Sequence, residues 1–319
     1  MMPRMPPASE GIVGGPAVAG ARTRRGGPLK PLWRAMRPKQ WTKNVLVVAV
    51  PLAAGKLFVP VVLLDTVGAF IVFCLAASAT YLVNDSVDVQ ADRAHPTKRN
   101  RPIASGALSI RTAAIAAVVL FALSLALSWV INPALTAVVA AYLVTTLSYS
   151  LRFKHAPVIE LVLLSLGFLL RAIAGGAATE TPISSWFLIV AAFGSLFMAA
   201  GKRASELTNA LDATPERQAS TRRVLAGYTP AYLRFVWGLA ATVTVSAYCL
   251  WAFEIAVDES SIPWAKISII PFVVAILLYA VDIDGSTAGA PDEVVLADRS
   301  LMVVGGLWLV TFGLAALGV

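Results

Sequence analysis

Long apolar runs separated by short polar connections make up most of this chain. A helix that crosses a bilayer needs about 20 mostly apolar residues. Nine runs meet this requirement, at about 45–63, 66–83, 111–130, 133–151, 157–176, 184–201, 231–252, 263–281 and 300–318. The first run contains Lys56 and two prolines, which a membrane helix tolerates where its neighbours satisfy the backbone. The pattern predicts an all-α integral membrane protein with nine transmembrane helices.

The composition excludes a water-soluble fold. Hydrophobic residues make up 58% of the chain, charged residues only 14%, and the mean hydropathy is +0.75. A soluble domain carries about 25% charged residues, so the charges here are too few to cover the surface of a soluble globule. Residues 1–28 are rich in Pro, Gly and Arg and lack the apolar core of a signal peptide. We expect a disordered cytoplasmic tail at 1–28 and a single transmembrane domain at 29–319.

The basic residues orient the predicted spans. The formal net charge is +8, and 23 of the 26 Lys and Arg residues fall in the N-terminal segment or in connections on the same side. Lys and Arg concentrate on the cytoplasmic side of membrane proteins. The N terminus is therefore expected to be cytoplasmic, in a multi-pass membrane protein.

An acidic motif follows the second predicted span. Asn84, Asp85, Asp88 and Asp92 are spaced so that a helix would place the three aspartates along one face. Like charges at this spacing repel, and desolvation at a membrane boundary adds a further cost. Bound Mg²⁺ would remove both penalties, because it prefers carboxylates together with substrate phosphates. We predict that Asp85, Asp88 and Asn84 bind Mg²⁺ and that Asp92 supports them; the alternative is a solvated acidic turn.

Basic residues adjoin this motif in the same connection. They are Arg93, Lys98, Arg99 and Arg101. A site for a diphosphate and Mg²⁺ also needs cationic donors, and arginine suits phosphate geometry. These four residues are therefore candidate substrate-binding residues.

The pattern N-D-x-x-D-x-x-x-D after the second span resembles the UbiA superfamily of intramembrane prenyltransferases. Other segments resemble its decaprenyl-phosphate phosphoribosyltransferase branch. They are RPKQWTKN (37–44), DRAHPTKRNRPIASG (92–106), GFLLRAIAGG (167–176), GKRASEL (201–207) and VVLADRSL (294–301). The similarity runs from about Arg34 to the C terminus.

This resemblance implies a UbiA-like helical bundle with a Mg²⁺-dependent pentosyltransferase activity. The enzymes of that branch move the 5-phosphoribosyl group of 5-phospho-ribose 1-diphosphate to polyprenyl (decaprenyl) phosphate. Their product feeds arabinan synthesis for the arabinogalactan and lipoarabinomannan of the cell wall. The expected partners are therefore these two substrates and the membrane, with no nucleic acid; homo-oligomer formation is left open.

One region departs from the wider family. Most users of prenyl diphosphates carry a second motif, D-x-x-x-D, between the sixth and seventh spans, whereas this chain has Lys202, Arg203 and Glu206 there. One carboxylate beside two cations suggests a site that binds an additional phosphate, such as the 5-phosphate of the donor. The alternative for Lys202 and Arg203 is ordinary anchoring of a span by positive charge.

Other charged and polar residues are candidates for substrate binding. Arg171 lies within the fifth span, where an unpaired charge is costly, so it either pairs with Glu160 or contacts a phosphate or the ribose. Lys154 ends the fourth span near an anionic substrate, and Tyr149 is either a ligand or an interfacial anchor. Two further lysines, Lys39 and Lys43, precede the first span, where they bind substrate or anionic lipid heads.

Two other functional classes remain open on this sequence. The first is prenyl transfer from a prenyl diphosphate to an aromatic acceptor. The second is a non-catalytic carrier of anionic solutes, in which the carboxylates would couple to ions. The identity of the donor substrate separates the first class from phosphoribosyl transfer.

Overall fold

All the regular secondary structure in the described part of the chain is helical. The computed structural model describes residues 29–212, 223–255, 262–289, 294 and 298–318, so the predicted tail at 1–28 lies outside the described residues. A 3₁₀ segment occupies Pro38–Val48. The α-helices are α1 (Leu29–Ala35), α2 (Ala49–Ala53), α3 (Pro60–Val87), α4 (Val89–Ala94), α5 (Ile110–Ile131), α6 (Pro133–Leu151), α7 (Ile159–Ala178), α8 (Ser185–Leu211), α9 (Pro230–Ile255), α10 (Trp264–Ile267), α11 (Ile269–Asp284) and α12 (Arg299–Leu317).

Eight helical segments in the described residues are long and apolar enough to cross a membrane. They are α3, α5, α6, α7, α8, α9, α10 together with α11, and α12. They correspond to the second to ninth predicted spans. The protein is therefore an integral multi-pass membrane protein.

The first predicted span is not one regular helix. The 3₁₀ segment Pro38–Val48 and the five-residue α2 occupy it instead, since Pro51 supplies no backbone N–H to a continuous α-helical ladder. At about 2.0 Å per 3₁₀ residue and about 1.5 Å per α-helical residue, the two pieces span about 30 Å, which is the thickness of a bilayer core. Arg37 at the near end contacts Asp85, and Gly55 beyond the far end lies against the carbonyl of Ala316. The segment thus runs the length of the bundle, and its status as a ninth transmembrane helix stays a prediction.

The acidic motif lies at the junction of α3 and α4. Asp88 stands between the two helices, yet the hydrogen bonds of a continuous helix persist across it. The Asp88 N–H donates to the Asn84 carbonyl at 2.9 Å, and the Asp92 N–H donates to the Asp88 carbonyl at 2.8 Å. The predicted helical spacing of the aspartates is therefore preserved.

A close approach of backbones holds the 3₁₀ segment against α7. A Cβ atom built on Gly175 would lie 1.9 Å from the carbonyl oxygen of Val47. Val47 is fully buried in a core with Phe73, Tyr142 and Ala174. Only glycine lets α7 approach the 3₁₀ segment this closely, and this packing fixes the segment that carries Arg37 at its end.

We predict that Gly175→Ala lowers the free energy of unfolding by about 1–3 kcal/mol, because the added methyl group displaces the Val47 backbone. Thermal unfolding in detergent, followed by labelling of the buried Cys74 in a Cys249→Ser background, measures the effect. Gly238→Ala is the matched control, since a Cβ on this helical glycine meets no atom within 4 Å. A melting temperature of Gly175→Ala equal to that of the control would contradict the prediction.

Candidate active site

Three aspartates of the acidic motif gather at one end of the bundle. Asp85 and Asp92 are only 2% and 4% exposed, and Asp88 is partly exposed. Buried carboxylates are costly unless they are paired. The side chains that surround them therefore decide what this site can bind.

Arg37 pairs with Asp85, although the sequence analysis did not select it as a site residue. Its Nη2 atom donates to Oδ1 of Asp85 at 2.6 Å and lies 2.8 Å from Oδ2. The guanidinium also lies 5.1 Å from the centre of the Tyr81 ring. Arg37 has φ +55° and ψ +60°, a left-handed conformation that is uncommon for non-glycine residues. The signal in the sequence that could have identified Arg37 as a site residue is its place in the RPKQWTKN segment.

Two more cations complete the pairing of the aspartates. Arg101 donates from Nη1 to Oδ2 of Asp92 at 2.6 Å and to Oδ1 of Asp85 at 3.2 Å. The ammonium group of Lys154 pairs with Asp88. Each of the three carboxylates therefore faces a cation, and these ion pairs reduce the repulsion expected from the spacing of the aspartates.

The other basic residues of the connection lie at different depths. Arg93 donates from Nε to the Ala104 carbonyl at 3.1 Å, which holds the loop beside the motif. Arg99 is exposed and Lys98 is half-buried. Both are near the paired aspartates in sequence, and substrate binding by these three residues stays a prediction.

The donor chemistry of the motif fits Mg²⁺ in part. Asn84, Asp85 and Asp88 provide oxygen atoms, and Mg²⁺ takes one or two carboxylates and completes its shell with water and substrate phosphates. Within the described residues, no three His, Cys, Asp or Glu side chains form a preassembled metal cluster. The arrangement fits an ion that arrives with phosphate ligands better than an ion held by protein alone.

A second charged cluster lies around Arg203. Glu160 accepts from Nε of Arg203 at 2.8 Å and from Nη2 at 2.6 Å, and Glu206 accepts from Nη1 at 2.5 Å. The Tyr149 hydroxyl lies 3.4 Å from Nη2. Arg203 is 1% exposed and Glu160 is 0% exposed. The donors of Arg203 are thus used by two carboxylates, and the helix α8 extends ten residues beyond its predicted end to carry this cluster.

The buried Glu160 also has a tyrosine partner. The hydroxyl of Tyr228 donates to Oε1 of Glu160 at 3.4 Å and accepts from the Val158 N–H at 2.8 Å. Val158 has φ +66° and ψ −54°, and the Ile159 N–H donates to the Pro157 carbonyl at 2.8 Å. This is the geometry of a γ-turn, which is rare and strained. The turn starts α7 so that Glu160 enters the bundle interior.

The proposed pairing of Arg171 with Glu160 is wrong, because Glu160 binds Arg203. Arg171 instead donates to the Asn44 side chain, the Gly167 carbonyl and the Tyr142 hydroxyl, each at 2.8 Å. It is 6% exposed, and its guanidinium lies 4.7 Å from the centre of the Tyr142 ring. These contacts join the 3₁₀ segment to α6 and α7; a contact of Arg171 with substrate stays a prediction.

The remaining predicted lysines lie nearer the surface. Lys39 is exposed at the start of the 3₁₀ segment, and Lys43 donates to the Gln40 side chain at 2.6 Å. Lys202 is half-buried, with Nζ 4.0 Å from Oε1 of Glu206. Their roles in substrate binding also stay predictions.

The protein resembles known proteins in sequence and in fold. The model of the UbiA prenyltransferase family matches residues 45–295. The chain belongs to the UbiA prenyltransferase family. A UbiA homologue from Archaeoglobus fulgidus, solved bound to DMAPP and Mg²⁺, has the same fold, with a TM-score of 0.66 at 19% identity over 91% of this chain and 99% of that one. The predicted UbiA-like helical fold is confirmed.

Other proteins match this UbiA protein at a higher sequence identity. The decaprenyl-phosphate phosphoribosyltransferase of Mycobacterium tuberculosis is 51% identical over 88% of this chain and 93% of the relative. The enzyme of the same name from Corynebacterium glutamicum is 50% identical over 86% of this chain and 83% of the relative. The resemblance to this branch of the UbiA family is confirmed.

The hydroxyl of Tyr228 is expected to lose its proton at a higher pH than the hydroxyl of a free tyrosine. Burial raises the pKa of Tyr228 to about 12, and the neighbouring Glu160 carboxylate adds to the increase, while the Val158 N–H opposes it. An unfolded tyrosine has a pKa of about 10. The folded state therefore favours the protonated hydroxyl, so this stabilisation is complete below about pH 10 and is lost as the pH rises through 12.

We expect the melting temperatures of wild type and Tyr228→Phe to differ by a constant amount below about pH 10 and to converge above it. Phenolate absorbance, compared between the two proteins, should place the Tyr228 transition near pH 12. Tyr232→Phe, which alters the exposed ring stacked on Tyr228, is the matched control. A Tyr228 transition near pH 10 would show that the hydroxyl is not held in this network.

Proposed function

We propose that the protein transfers the 5-phosphoribosyl group of 5-phospho-ribose 1-diphosphate to polyprenyl (decaprenyl) phosphate and releases diphosphate. The observation that carries this proposal is an identity of 50–51% with decaprenyl-phosphate phosphoribosyltransferases over more than four fifths of both chains. In this proposal the reaction takes place at the cytoplasmic face of the plasma membrane, because most of the basic residues fall in segments that are predicted to be cytoplasmic. Arabinan precursor synthesis is the expected use of the product.

The paired charges of the acidic motif support binding of a diphosphate. Asp85, Asp88 and Asn84 would hold Mg²⁺, which when bound neutralises charge that develops on the departing diphosphate. Asp85 pairs with Arg37 and Arg101, and Arg101 also pairs with Asp92. Asp88 pairs with Lys154. Asp85, Asp88 and Asn84 would then face the metal, and Arg37, Arg101 and Lys154 would donate to the oxygens of the diphosphate.

The acceptor needs no general base. At neutral pH the lipid phosphate carries an ionised oxygen, so no side chain has to remove a proton before attack. The bond between the anomeric carbon and the diphosphate oxygen breaks, and a bond from that carbon to the lipid phosphate oxygen forms. Attack from the face opposite the leaving group inverts the anomeric carbon. The task of the protein side chains is then to bind, orient and neutralise charge.

Prenyl transfer to an aromatic acceptor is the second candidate. The observation that favours it is the shared fold with the A. fulgidus UbiA homologue bound to DMAPP and Mg²⁺. That likeness is at 19% identity, whereas the phosphoribosyltransferase relatives are 50–51% identical. Phosphoribosyl transfer is therefore preferred.

Donor use tests the proposal directly. Membranes that contain the protein are incubated with labelled 5-phospho-ribose 1-diphosphate and decaprenyl phosphate, and the lipid fraction is examined for label. We expect a labelled lipid from wild type and at least about a hundredfold less from Asp85→Asn, because one essential charge of the site is lost. Asp65→Asn, twenty residues earlier on α3 and about 30 Å away, is the matched control and should keep the wild-type rate.

The outcomes separate the three functional classes. A wild-type protein that leaves the lipid unlabelled but prenylates 4-hydroxybenzoate is a prenyltransferase. A protein for which Asp85→Asn impairs uptake of an anionic solute, with no change in any lipid product, is a carrier. Melting temperatures of the variants, measured alongside, distinguish loss of activity from loss of folding.

Removal of the metal is an independent test. We predict that EDTA abolishes labelling of the lipid and that added Mg²⁺ restores it, because the diphosphate leaves from a site rich in carboxylates. Titration calorimetry provides a second readout, in which inorganic diphosphate binds more tightly with Mg²⁺ than without it. Full activity in EDTA would remove Mg²⁺ from the proposed function.

A further inference from the structure

The two charged clusters differ in their charge balance. Around Arg203, two cations (Lys202 and Arg203) stand against two carboxylates (Glu160 and Glu206). A phosphate dianion needs an excess of positive charge or of hydrogen-bond donors. The Arg203 cluster has no such excess, and so it favours an uncharged polar group. This differs from the expectation that Lys202 and Arg203 bind an additional phosphate.

The carboxylate of Glu206 is held in a fixed orientation. Glu160 accepts from both Nε and Nη2 of Arg203, and such two-point pairing fixes the guanidinium plane. The third nitrogen, Nη1, then lies 2.5 Å from Oε2 of Glu206. Glu160 and Arg203 are fully buried, but the Glu206 side chain is 24% exposed. The buried pair therefore presents a carboxylate at an accessible surface, at little further cost in side-chain entropy.

The Arg203 cluster lies beside the acidic motif. Tyr149 of α6 reaches Arg203, and Lys154, five residues further on, pairs with Asp88. Five residues span at most about 17 Å. Both clusters therefore lie near the same end of α6.

We infer that Glu206, oriented by Glu160 through Arg203, binds the neighbouring ring hydroxyls of the pentose in the donor substrate. This inference rests on the proposed function. A carboxylate accepts hydrogen bonds from ribose hydroxyls in dinucleotide-binding folds for the same chemical reason. The phosphates of the donor are then left to the acidic motif and its basic neighbours, and Glu206 selects ribose over its deoxy analogue. Glu160 is a positioning residue, since it acts through Arg203.

Two sugar phosphates that differ by one hydroxyl test this inference. Ribose 5-phosphate and 2-deoxyribose 5-phosphate are used as competitive inhibitors of label transfer by the full-length protein. Wild type should bind ribose 5-phosphate at least about tenfold more tightly, which is the usual effect of one hydrogen bond to a charged group. The ratio of the two inhibition constants should fall to near one in Glu206→Ala. In Glu206→Gln, which keeps the size of the side chain, the ratio should be intermediate.

Glu160→Gln tests the positioning role. It leaves Glu206 in place but loosens Arg203, so the ratio should fall although the hydroxyl ligand itself is unchanged. A merely structural role would lower the melting temperature and leave the ratio at the wild-type value. Thr208→Ala, two residues after Glu206 on α8, removes a hydroxyl that donates to the Ala204 carbonyl. It is the matched control and should keep both the ratio and the rate.

Several results would overturn the inference. They are a wild-type ratio in Glu206→Ala or Glu206→Gln, equal binding of the two sugar phosphates by wild type, and a raised Mg²⁺ requirement in Glu206→Ala with no change in the ratio. If Glu206→Ala does not fold, the ratio in Glu206→Gln decides. Absence of any labelled lipid with wild type would instead remove the proposed function, and this inference with it.

Discussion

The cost of an unpaired charge at a membrane boundary determines how this site is built. Asp85 and Asp92 are almost fully buried, and each has an arginine within 2.6 Å. Glu160 is entirely buried, and it has Arg203 at the same distance. Breaking such a pair strands the remaining charge in a poorly solvated environment, which is far more costly than losing a surface ion pair. The proposed donor would bring both a metal and phosphates, and these would give new partners to Asp85 and Asp88 and to the cations beside them.

Much of the fold could be predicted from the sequence. Apolar runs of about 20 residues marked eight of the helical segments, because the thickness of the bilayer sets their length. The spacing of Asp85, Asp88 and Asp92 gave their helical relation, which is a local property. The first span was harder, since Pro51 disrupts the helix from within while the apolar composition stays unchanged. The apolar composition of a segment indicates that it is buried in lipid, but it does not distinguish an α-helix from a 3₁₀ helix.

The partners of the charged residues could not be predicted, because they depend on contacts far apart in the chain. Arg37 lies 48 positions from Asp85, and Arg203 lies 43 positions from Glu160. Glu160 and Arg171 share a helix face by spacing, which suggested a pair, yet a helix from another part of the chain supplies the true partner. The same sequence pattern thus identified which residues carry charge near the site, but not which carboxylate each cation meets.

The 3₁₀ geometry of Pro38–Val48 sets the reach of Arg37. A 3₁₀ helix rises about 0.5 Å more per residue than an α-helix, so the chain gains about 3.5 Å between Asn44 and Arg37 and about 5 Å between Val47 and Arg37. Val47 is held against Gly175, and Asn44 is held by Arg171. From these anchored points, an α-helical segment would end short of the acidic motif. The 3₁₀ segment therefore sets the distance between Arg37 and the residues that are packed inside the bundle. This distance determines whether Arg37 reaches Asp85.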